Sequence, residues 1–262
     1  MKEQGSIQFI GTGSSAGVPM IGCHCPVCQS KNPKNSRLRS SAHITVGDRH
    51  VIIDASPDFR QQALRYHLPC PDALLLSHTH YDHVGGLEEM RAFNIHKHPP
   101  IRSFVSKESF RNLKKLLYYH FTPQTEEKHF SASFDFHVLE HPTGHFDVDG
   151  TRIEYFSYAQ GTMPVTGFRI GSLAYVTDIK QYDPSLFSHL KGLEILVVSA
   201  AWVTPSRMQF TIAEALEFRQ RTGAQKTYFI HLSHEVDFER EGLSLPPDVA
   251  LAYDGLEVEF SR

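Results

Sequence analysis

The sequence predicts an α/β fold in which two packed β-sheets are flanked by helices. Three observations support this prediction. Short apolar runs typical of buried strands occur in both halves of the chain, and segments with helical spacing lie between them. A histidine-rich motif also joins a predicted strand to a predicted helix in the span 73–86. Sheets that bury one face against each other and the other face beneath helices satisfy all three observations.

Composition is typical of a globular protein with one large core. The 262 residues are 40% hydrophobic and 21% charged, and the net charge is −3. This length suits one large domain or two small ones, and we predict one domain over 1–262. Because no run of Lys and Arg is present, a broad nucleic-acid surface is not indicated, although a local basic patch stays open. No apolar signal or membrane-spanning segment is evident, so we expect a cytoplasmic protein that does not enter a membrane.

The first part of the chain contains a strand, a glycine-rich turn and a hairpin. A strand is predicted at 7–10, and two hairpin strands are predicted at 42–46 and 50–54 around a Gly-Asp turn. The glycines of 11–19 either cradle a phosphate or form an ordinary tight turn. Since the G-K-[ST] ending of a phosphate-binding loop is missing, neither alternative is preferred.

Three cysteines lie within six residues, at Cys23, Cys25 and Cys28. Their spacing is too tight for a disulfide framework, but three thiolates so placed can face one tetrahedral zinc ion. The fourth ligand has to come from elsewhere. His24 is one candidate, although adjacent residues rarely converge on the same metal. Residues 20–30 are therefore predicted to form a structural zinc loop.

The strongest motif is H-x-H-x-D-H, formed by His78, His80, Asp82 and His83. A helix predicted at 58–67 precedes the apolar strand that delivers it. Strand geometry and the following turn direct His78 and His80 the same way, whereas the last two residues open the next helix. Imidazoles with a carboxylate suit Zn, Mn or Fe, and two sets of such donors can hold two metals.

The remaining chain continues this alternation of strands and helices. Helices are predicted after Gly86 and at 107–121, and a helix capped by Thr211 and Glu214 is expected near the C-terminus. The predicted strands lie at 153–156, 173–178 and 193–198. The histidines scattered outside the motif, which include His96, His98 and His129, are not assigned to metal.

The motif at 78–83 resembles the signature of the metallo-β-lactamase superfamily. The glycine turn followed by the cysteine cluster is similar to its phosphodiesterase branch, which includes the carbon-phosphorus lyase accessory phosphodiesterase. This resemblance implies an αββα sandwich. It also implies a structural zinc completed by His234, and it assigns His231 to the catalytic metals. Asp54 resembles an aspartate that orients a ligand without touching metal, and Asp178 resembles the bridging aspartate.

The resemblance implies two divalent metals, zinc or manganese, beside the structural zinc. One is held by His78, His80, Asp178 and weakly by Gln160, and the other by Asp82, His83, Asp178 and His231. Gln160 stands where relatives have a histidine, and its neutral amide should bind metal less tightly, so one position is expected to be weak or empty. Gln209 stands where relatives have their catalytic histidine, and an amide cannot deliver a proton. No catalytic residue beyond the ligands is assigned.

We therefore expect a metal-dependent hydrolase, a phosphodiesterase that cleaves a small or nucleotide-like phosphodiester through a metal-bound hydroxide. Two alternatives remain: a nuclease of the tRNA 3′-processing type, and a metal-binding scaffold or interaction protein whose catalytic centre has decayed. The two glutamines motivate the scaffold alternative. The expected partner is a small-molecule substrate; nucleic acid is disfavoured without being excluded, and a homodimer is left open.

Overall fold

A computed structural model describes residues 4–95, 99–121 and 131–262. Within these residues the chain forms two seven-stranded sheets. The first sheet contains β1 (Gln4–Gly11), β2 (Ser41–Val46), β3 (Arg49–Ile53), β4 (Ala73–Leu75), β5 (Ile101–Ser106), β6 (Phe134–Leu139) and β14 (Glu257–Ser261). The second contains β7 (Thr143–Val148), β8 (Thr151–Gln160), β9 (Met163–Ile170), β10 (Leu173–Val176), β11 (Ile195–Ser199), β12 (Lys226–Ile230) and β13 (Val249–Leu251).

The two sheets follow the same pairing plan. The first has the order β14-β1-β2-β3-β4-β5-β6 and the second the order β13-β12-β11-β10-β9-β8-β7. In the first sheet the pairs from β14 to β3 are antiparallel and those from β3 to β6 are parallel. In the second sheet the pairs from β7 to β10 are antiparallel and those from β10 to β13 are parallel. The parallel strands β3 and β4 therefore end together, as do β10, β11 and β12, and such ends are common sites for ligands.

The main core lies between the sheets. Ile44, Val51 and Leu75 of the first sheet belong to the same buried cluster as Tyr175 and Val197 of the second. The outer faces pack against helices. These are α1 (Phe59–Tyr66), α2 (Tyr81–Val84), α3 (Arg91–Ile95), α4 (Lys107–Leu116), α5 (Ile212–Thr222) and α6 (Phe238–Ser244). Two packed mixed sheets with helices outside confirm the predicted αββα sandwich.

The structure confirms several local predictions. Strands occupy the segments predicted at 7–10, 73–76 and 193–198, with small shifts at their ends, and the hairpin of β2 and β3 forms as expected. The capping box at the start of α5 is also present. Thr211 Oγ1 accepts a hydrogen bond from the backbone N–H of Glu214 at 3.2 Å, and the Glu214 carboxylate accepts one from the backbone N–H of Thr211 at 2.8 Å.

One sequence prediction needs correction, and several strands were not predicted, among them β6 and β7. The helix predicted at 107–121 ends at Leu116, because Leu117 leaves helical geometry with φ −116° and ψ 44°, and a short 3₁₀ turn follows at Tyr118–His120. Strands β6 and β7 escaped prediction because both alternate between half-buried and exposed residues rather than forming an apolar run.

Within the described residues no helix is both long and apolar enough to cross a bilayer. His96, His98 and His129 lie outside the described residues.

Candidate metal centre

The central motif leaves the first sheet at the end of β4. β4 ends at Leu75, and α2 begins at Tyr81, so His78 lies in the connection while Asp82 and His83 lie in the helix. His78 and His83 are fully buried, and Asp82 is 8% exposed. Polar side chains so buried need partners, and here they are supplied by one another and by the ends of neighbouring strands.

Asp54, which directly follows β3, holds two parts of the motif together. Its carboxylate accepts hydrogen bonds from the backbone N–H of Ser77 at 2.8 Å and from Ser77 Oγ at 2.6 Å. Its Oδ2 also lies 2.6 Å from Nδ1 of His83. This short contact favours a proton on Nδ1 of His83 and directs Nε2 away from Asp54. Asp54 thus contacts a candidate ligand, and its orienting role stays a prediction.

The second sheet supplies Asp178 and His231. Nε2 of His83 lies 3.1 Å from Oδ2 of Asp178. Nε2 of His231 lies 3.2 Å from Oδ2 of Asp82 and 3.4 Å from Oδ1 of Asp178. Side chains from both sheets therefore converge where the parallel strands end, and Asp178 lies between the two histidines.

Backbone strain is concentrated at the same place. Asp54, Asp178 and His231 have positive φ angles of 59°, 52° and 58°, a region that residues other than glycine rarely adopt. Asp54 and His231 directly follow β3 and β12, and Asp178 comes two residues after β10. Each strand end thus turns sharply and directs its side chain into the centre.

The electrostatics of the centre favour cations. Burial alone would raise the pKa of Asp82 and Asp178, but His83 and His231 outweigh it and hold both carboxyl groups well below their usual range. Burial lowers the pKa of His78 well below its ordinary value, so this imidazole is neutral. The ion pairs described for Asp54, Asp82 and Asp178 are all with histidines. Burial acts to lower the pKa of His83, but Asp82, Asp178 and Asp54 outweigh it and raise that pKa well above its ordinary value. Positive charge is therefore favoured beside these carboxylates, where a divalent cation would take the place of the His83 proton.

The donor atoms fit metal ions. Two groups of three residues have their ligand atoms within 4.8 Å of one another: His78 with His83 and Asp178, and Asp82 with His83 and His231. Buried Nε2 of His83, although close to two carboxylates, makes no hydrogen bond. His80 lies at the side of the first group, with its Nδ1 2.9 Å from Nε2 of His78. The structure thus brings the predicted histidines and aspartates together, and their role as ligands remains a prediction.

Gln160 and Gln209 also reach the centre. They are 5% and 6% exposed, and each donates a hydrogen bond from Nε2 to the same Oδ1 atom of Asp178, the one from Gln160 at 3.0 Å. Oε1 of Gln160 is buried without a hydrogen-bond partner. The sequence therefore pointed to two glutamines that do lie at the centre, where both contact the aspartate between the two histidines.

Sequence reasoning missed two polar residues of the centre. Ser77 contacts Asp54, and Thr177 Oγ1 donates a hydrogen bond to Oδ2 of Asp178 at 2.8 Å. Both are fully buried. Each directly precedes a candidate ligand at the end of an apolar strand, and that position is the signal that could have found them.

A second group of donors lies at the cysteine loop. The ligand atoms of Cys23, Cys25, Cys28 and His234 lie within 4.8 Å of one another. Nδ1 of His234 is 3.2 Å from Sγ of Cys23 and 3.6 Å from Sγ of Cys25. His24, the other candidate for the fourth ligand, is exposed. Three thiols and one imidazole form the donor set of a closed structural zinc site.

The pKa values of two thiols in this cluster differ because of their surroundings. Burial acts to raise the pKa of Cys25, but the backbone N–H of Cys28 and the neighbouring donors outweigh it and lower that pKa to about 6. Burial and the nearby Cys25 raise the pKa of Cys28 to about 11. A thiolate next to thiols is the arrangement that metal binding completes, because the cation stabilises all three sulfurs as thiolates.

Four backbone N–H groups of the glycine-rich segment at 11–19 are not free to bind a phosphate. The backbone N–H groups of Gly13 and Val18 donate to Leu38 and Arg37, and that of Ser14 donates to Leu232. The N–H of Thr12 donates to the Asp254 carboxylate. Since these amides already have acceptors within the protein, the ordinary-turn alternative fits the structure, and the turn packs the N-terminal segment beside His231.

Comparison with known proteins relates this geometry to a family. The beta-lactamase superfamily domain matches residues 49–232. A solved diphosphatase from the PhnP family is 31% identical, with a TM-score of 0.91 over 99% of this chain and 98% of its own. The short form of human tRNase Z (ELAC1) is 14% identical, with a TM-score of 0.71 over 97% of this chain and 98% of its own, and shows the fold alone.

A curated relative is longer than this chain. The octanoyltransferase of Porphyromonas gingivalis is 33% identical over 255 residues, which make up 95% of this chain and 50% of the relative. The chain therefore spans about half the length of that protein.

Proposed function

This chain belongs to the metallo-β-lactamase superfamily and resembles its PhnP branch, and we propose that it is a metal-dependent phosphodiesterase acting on a small or nucleotide-like substrate. The observation that supports this most is the convergence of His78, His83, Asp82, Asp178 and His231 at the ends of both sheets. The similar PhnP-family protein is a diphosphatase, an activity at phosphorus, which favours a phosphoester or phosphoanhydride as the substrate.

The proposed ligands would hold two divalent cations. His78, His80 and Asp178 would hold one, and Asp82, His83, Asp178 and His231 the other. Such cations supply a water of lowered pKa and neutralise charge on phosphoryl oxygens. The protein contributes orientation: Asp54 holds Nδ1 of His83, so Nε2 is directed into the centre before any cation arrives.

Gln160 and Gln209 orient Asp178 but cannot supply a proton to a leaving group. Gln160 and Gln209 donate to Oδ1 of Asp178, which holds that carboxylate in one orientation between His83 and His231. Neither amide can release a proton near neutral pH. We therefore expect the leaving group to take its proton from water, and substrates with acidic leaving groups to be cleaved fastest.

The test is hydrolysis by protein reconstituted with zinc or manganese. We expect release of p-nitrophenol from bis(p-nitrophenyl) phosphate, and loss of at least about 100-fold in kcat for Asp178→Asn, since that variant removes a charge shared by both proposed sites. Glu140→Gln is the matched control, because Glu140 pairs with the exposed Lys107 and is not a candidate ligand. Inactivity of fully loaded protein against diesters, monoesters and diphosphates alike would overturn the proposal.

A catalytically impaired scaffold is the second candidate, favoured by the two amides on Asp178. In that case metals would bind while every phosphoester of the panel remained intact. A Gln160→His and Gln209→His double variant that gained activity from a silent parent would support the scaffold, whereas turnover by the parent would end it.

A further inference from the structure

We propose that Glu235 is a positioning residue that couples the cysteine cluster to the metal centre. Its carboxylate holds the loop of residues 202–210, and this loop places Gln209 on Asp178. The inference rests on the proposed function for its effect on activity, but the structural coupling can be measured without any substrate.

The carboxylate of Glu235 binds one side of the loop through three donors. It accepts hydrogen bonds from the backbone N–H of Val203 at 3.2 Å and of Thr204 at 3.0 Å. Thr204 Oγ1 lies 2.9 and 3.0 Å from its two oxygens. Hydrogen bonds to an ionised carboxylate are about twice as strong as neutral ones. These donors also lower the pKa of Glu235, although burial acts to raise it.

The rest of the loop is held at its base. The N–H of Ala201 donates to the carbonyl of Phe210 at 2.9 Å, and the N–H of Ile212 donates to the carbonyl of Trp202 at 2.9 Å. Between these ends, in the part of the chain that the structure describes, the hydrogen bonds from residues 203–208 to residues outside the loop all go to Glu235. Val203 and Met208 are about half exposed. Glu235 therefore holds the exposed middle of this loop, between its hydrogen-bonded base and Gln209.

Glu235 is in turn connected to both candidate metal sites. It directly follows His234, whose Nδ1 lies 3.2 Å from Sγ of Cys23. Three residues before His234, His231 faces Asp82 and Asp178 at the metal centre. The backbone N–H of Ser233 donates to the carbonyl of Ala201 at 3.0 Å, so the two segments lie side by side. A cation that holds His234 therefore also holds the backbone from which Glu235 extends.

The far end of the loop contacts the metal centre. Gln209 donates its amide hydrogen bond to Asp178. Met208 lies over the turn after Gln160, with its Cε 3.6 Å from the position that a Cβ atom on Gly161 would take. Loss of Glu235 would free Val203 and Thr204 without removing any candidate ligand. Gln209 would then contact Asp178 for a smaller fraction of time.

The chain contains one tryptophan, Trp202, and it lies at the base of this loop. Its fluorescence therefore reports the loop without a label. We expect Glu235→Ala to raise the acrylamide quenching constant of Trp202 about twofold and to speed tryptic cleavage after Arg207. Glu235→Gln keeps an acceptor oxygen and should fall between Glu235→Ala and the unmodified protein. Glu140→Ala, which breaks an exposed ion pair with Lys107, is the control and should change neither readout.

The coupling to the cysteine cluster is tested with Cys23→Ser. We expect this variant to lose one zinc per chain and to show the same rise in Trp202 quenching as Glu235→Ala. His234→Asn takes its place if Cys23→Ser lacks the circular dichroism spectrum of the folded protein. Quenching unchanged in folded protein that has lost this zinc would overturn the coupling, and quenching unchanged in Glu235→Ala would overturn the role of Glu235.

Activity separates this inference from the proposed function. With bis(p-nitrophenyl) phosphate, Glu235→Ala should lower kcat about tenfold while KM and metal content stay unchanged, and Glu235→Gln should recover part of the loss. Equal losses in both variants would contradict positioning by hydrogen bonds. If the unmodified protein cleaves no phosphoester, the proposed function fails, and the quenching and cleavage results still decide whether Glu235 holds the loop.

Discussion

Nδ1 of His83 lies 2.6 Å from Oδ2 of Asp54, and both side chains are fully buried. The two residues follow neighbouring parallel strands of the first sheet. Asp54 comes directly after β3, and His83 lies in α2, which follows β4. Asp54 adopts a positive φ of 59° to make this contact. Because Asp54 orients the imidazole of His83, we expect it to affect the affinity of His83 for a metal ion.

Asp54→Asn should weaken binding of the metals at the centre by about 10- to 100-fold, because the amide no longer fixes the proton on Nδ1 of His83. Competition with a chromophoric chelator measures this affinity. Asp58→Asn is the control, since Asp58 pairs with Arg39 rather than with a candidate ligand. Unchanged affinity in Asp54→Asn would show that Asp54 does not orient His83 for metal.

Elemental analysis should find about three divalent metals per chain, one at the cysteine cluster and two at the centre. Cys23→Ser should lose one of them and keep the others, because its thiol faces His234 and not the centre. His80→Ala should leave the cysteine site filled and lower occupancy at the centre. A single metal that disappears only with Cys23→Ser would mean that the centre does not bind metal, and the scaffold candidate would then lead.

Gln160→His should tighten binding of the weaker metal at the centre by about tenfold, because imidazole is a stronger donor than an amide oxygen. Nε2 of Gln160 donates to Asp178, so the residue faces the centre, and its Oε1 is buried without a hydrogen-bond partner. Calorimetric titration of metal-free protein measures both affinities. The comparison variant is Gln160→Ala, which removes the donor and should not gain affinity. Equal affinity in both variants would show that residue 160 does not contact the metal.

His43 should make the stability of the protein depend on pH. Burial and then the neighbouring His50 lower the pKa of His43 to about 4, from an ordinary value of 6.5. Between these values the unfolded chain binds more protons than the folded one, so stability rises with pH through this window and is lost as pH falls through it. The contribution is at most about 3 kcal/mol, and His43→Gln should remove it.

Urea unfolding at several pH values between about 4 and 6.5 measures this slope. Asp254 contributes in the opposite direction, because burial raises its pKa to about 6 and the folded state then binds the extra proton. The informative quantity is therefore the difference between His43→Gln and the unmodified protein in the slope of unfolding free energy against pH. His137→Gln, which changes an exposed histidine beside Asp135, should leave the slope unaltered. A slope equal in all three proteins would contradict the assignment to His43.

The sequence by itself determined the elements that depend on local pattern. The apolar run before His78 predicts β4, and the spacing of Thr211 and Glu214 predicts the start of α5, because both depend on neighbouring residues. The cysteine spacing likewise predicts a metal loop. Edge strands β6 and β7 escaped prediction, because half-exposed alternating strands lack a continuous apolar signal.

The family resemblance grouped several residues of the centre, but only the tertiary structure decided their contacts and distances. His231 is 149 residues from Asp82, yet their side chains lie 3.2 Å apart, and no local pattern encodes such a distance. The same holds for Gln160 and Gln209 on Asp178, and for Glu235 on the loop of residues 202–210. These contacts arise because the parallel strands of two separate sheets end at one place, and that arrangement depends on packing of the whole core rather than on the sequence around each residue.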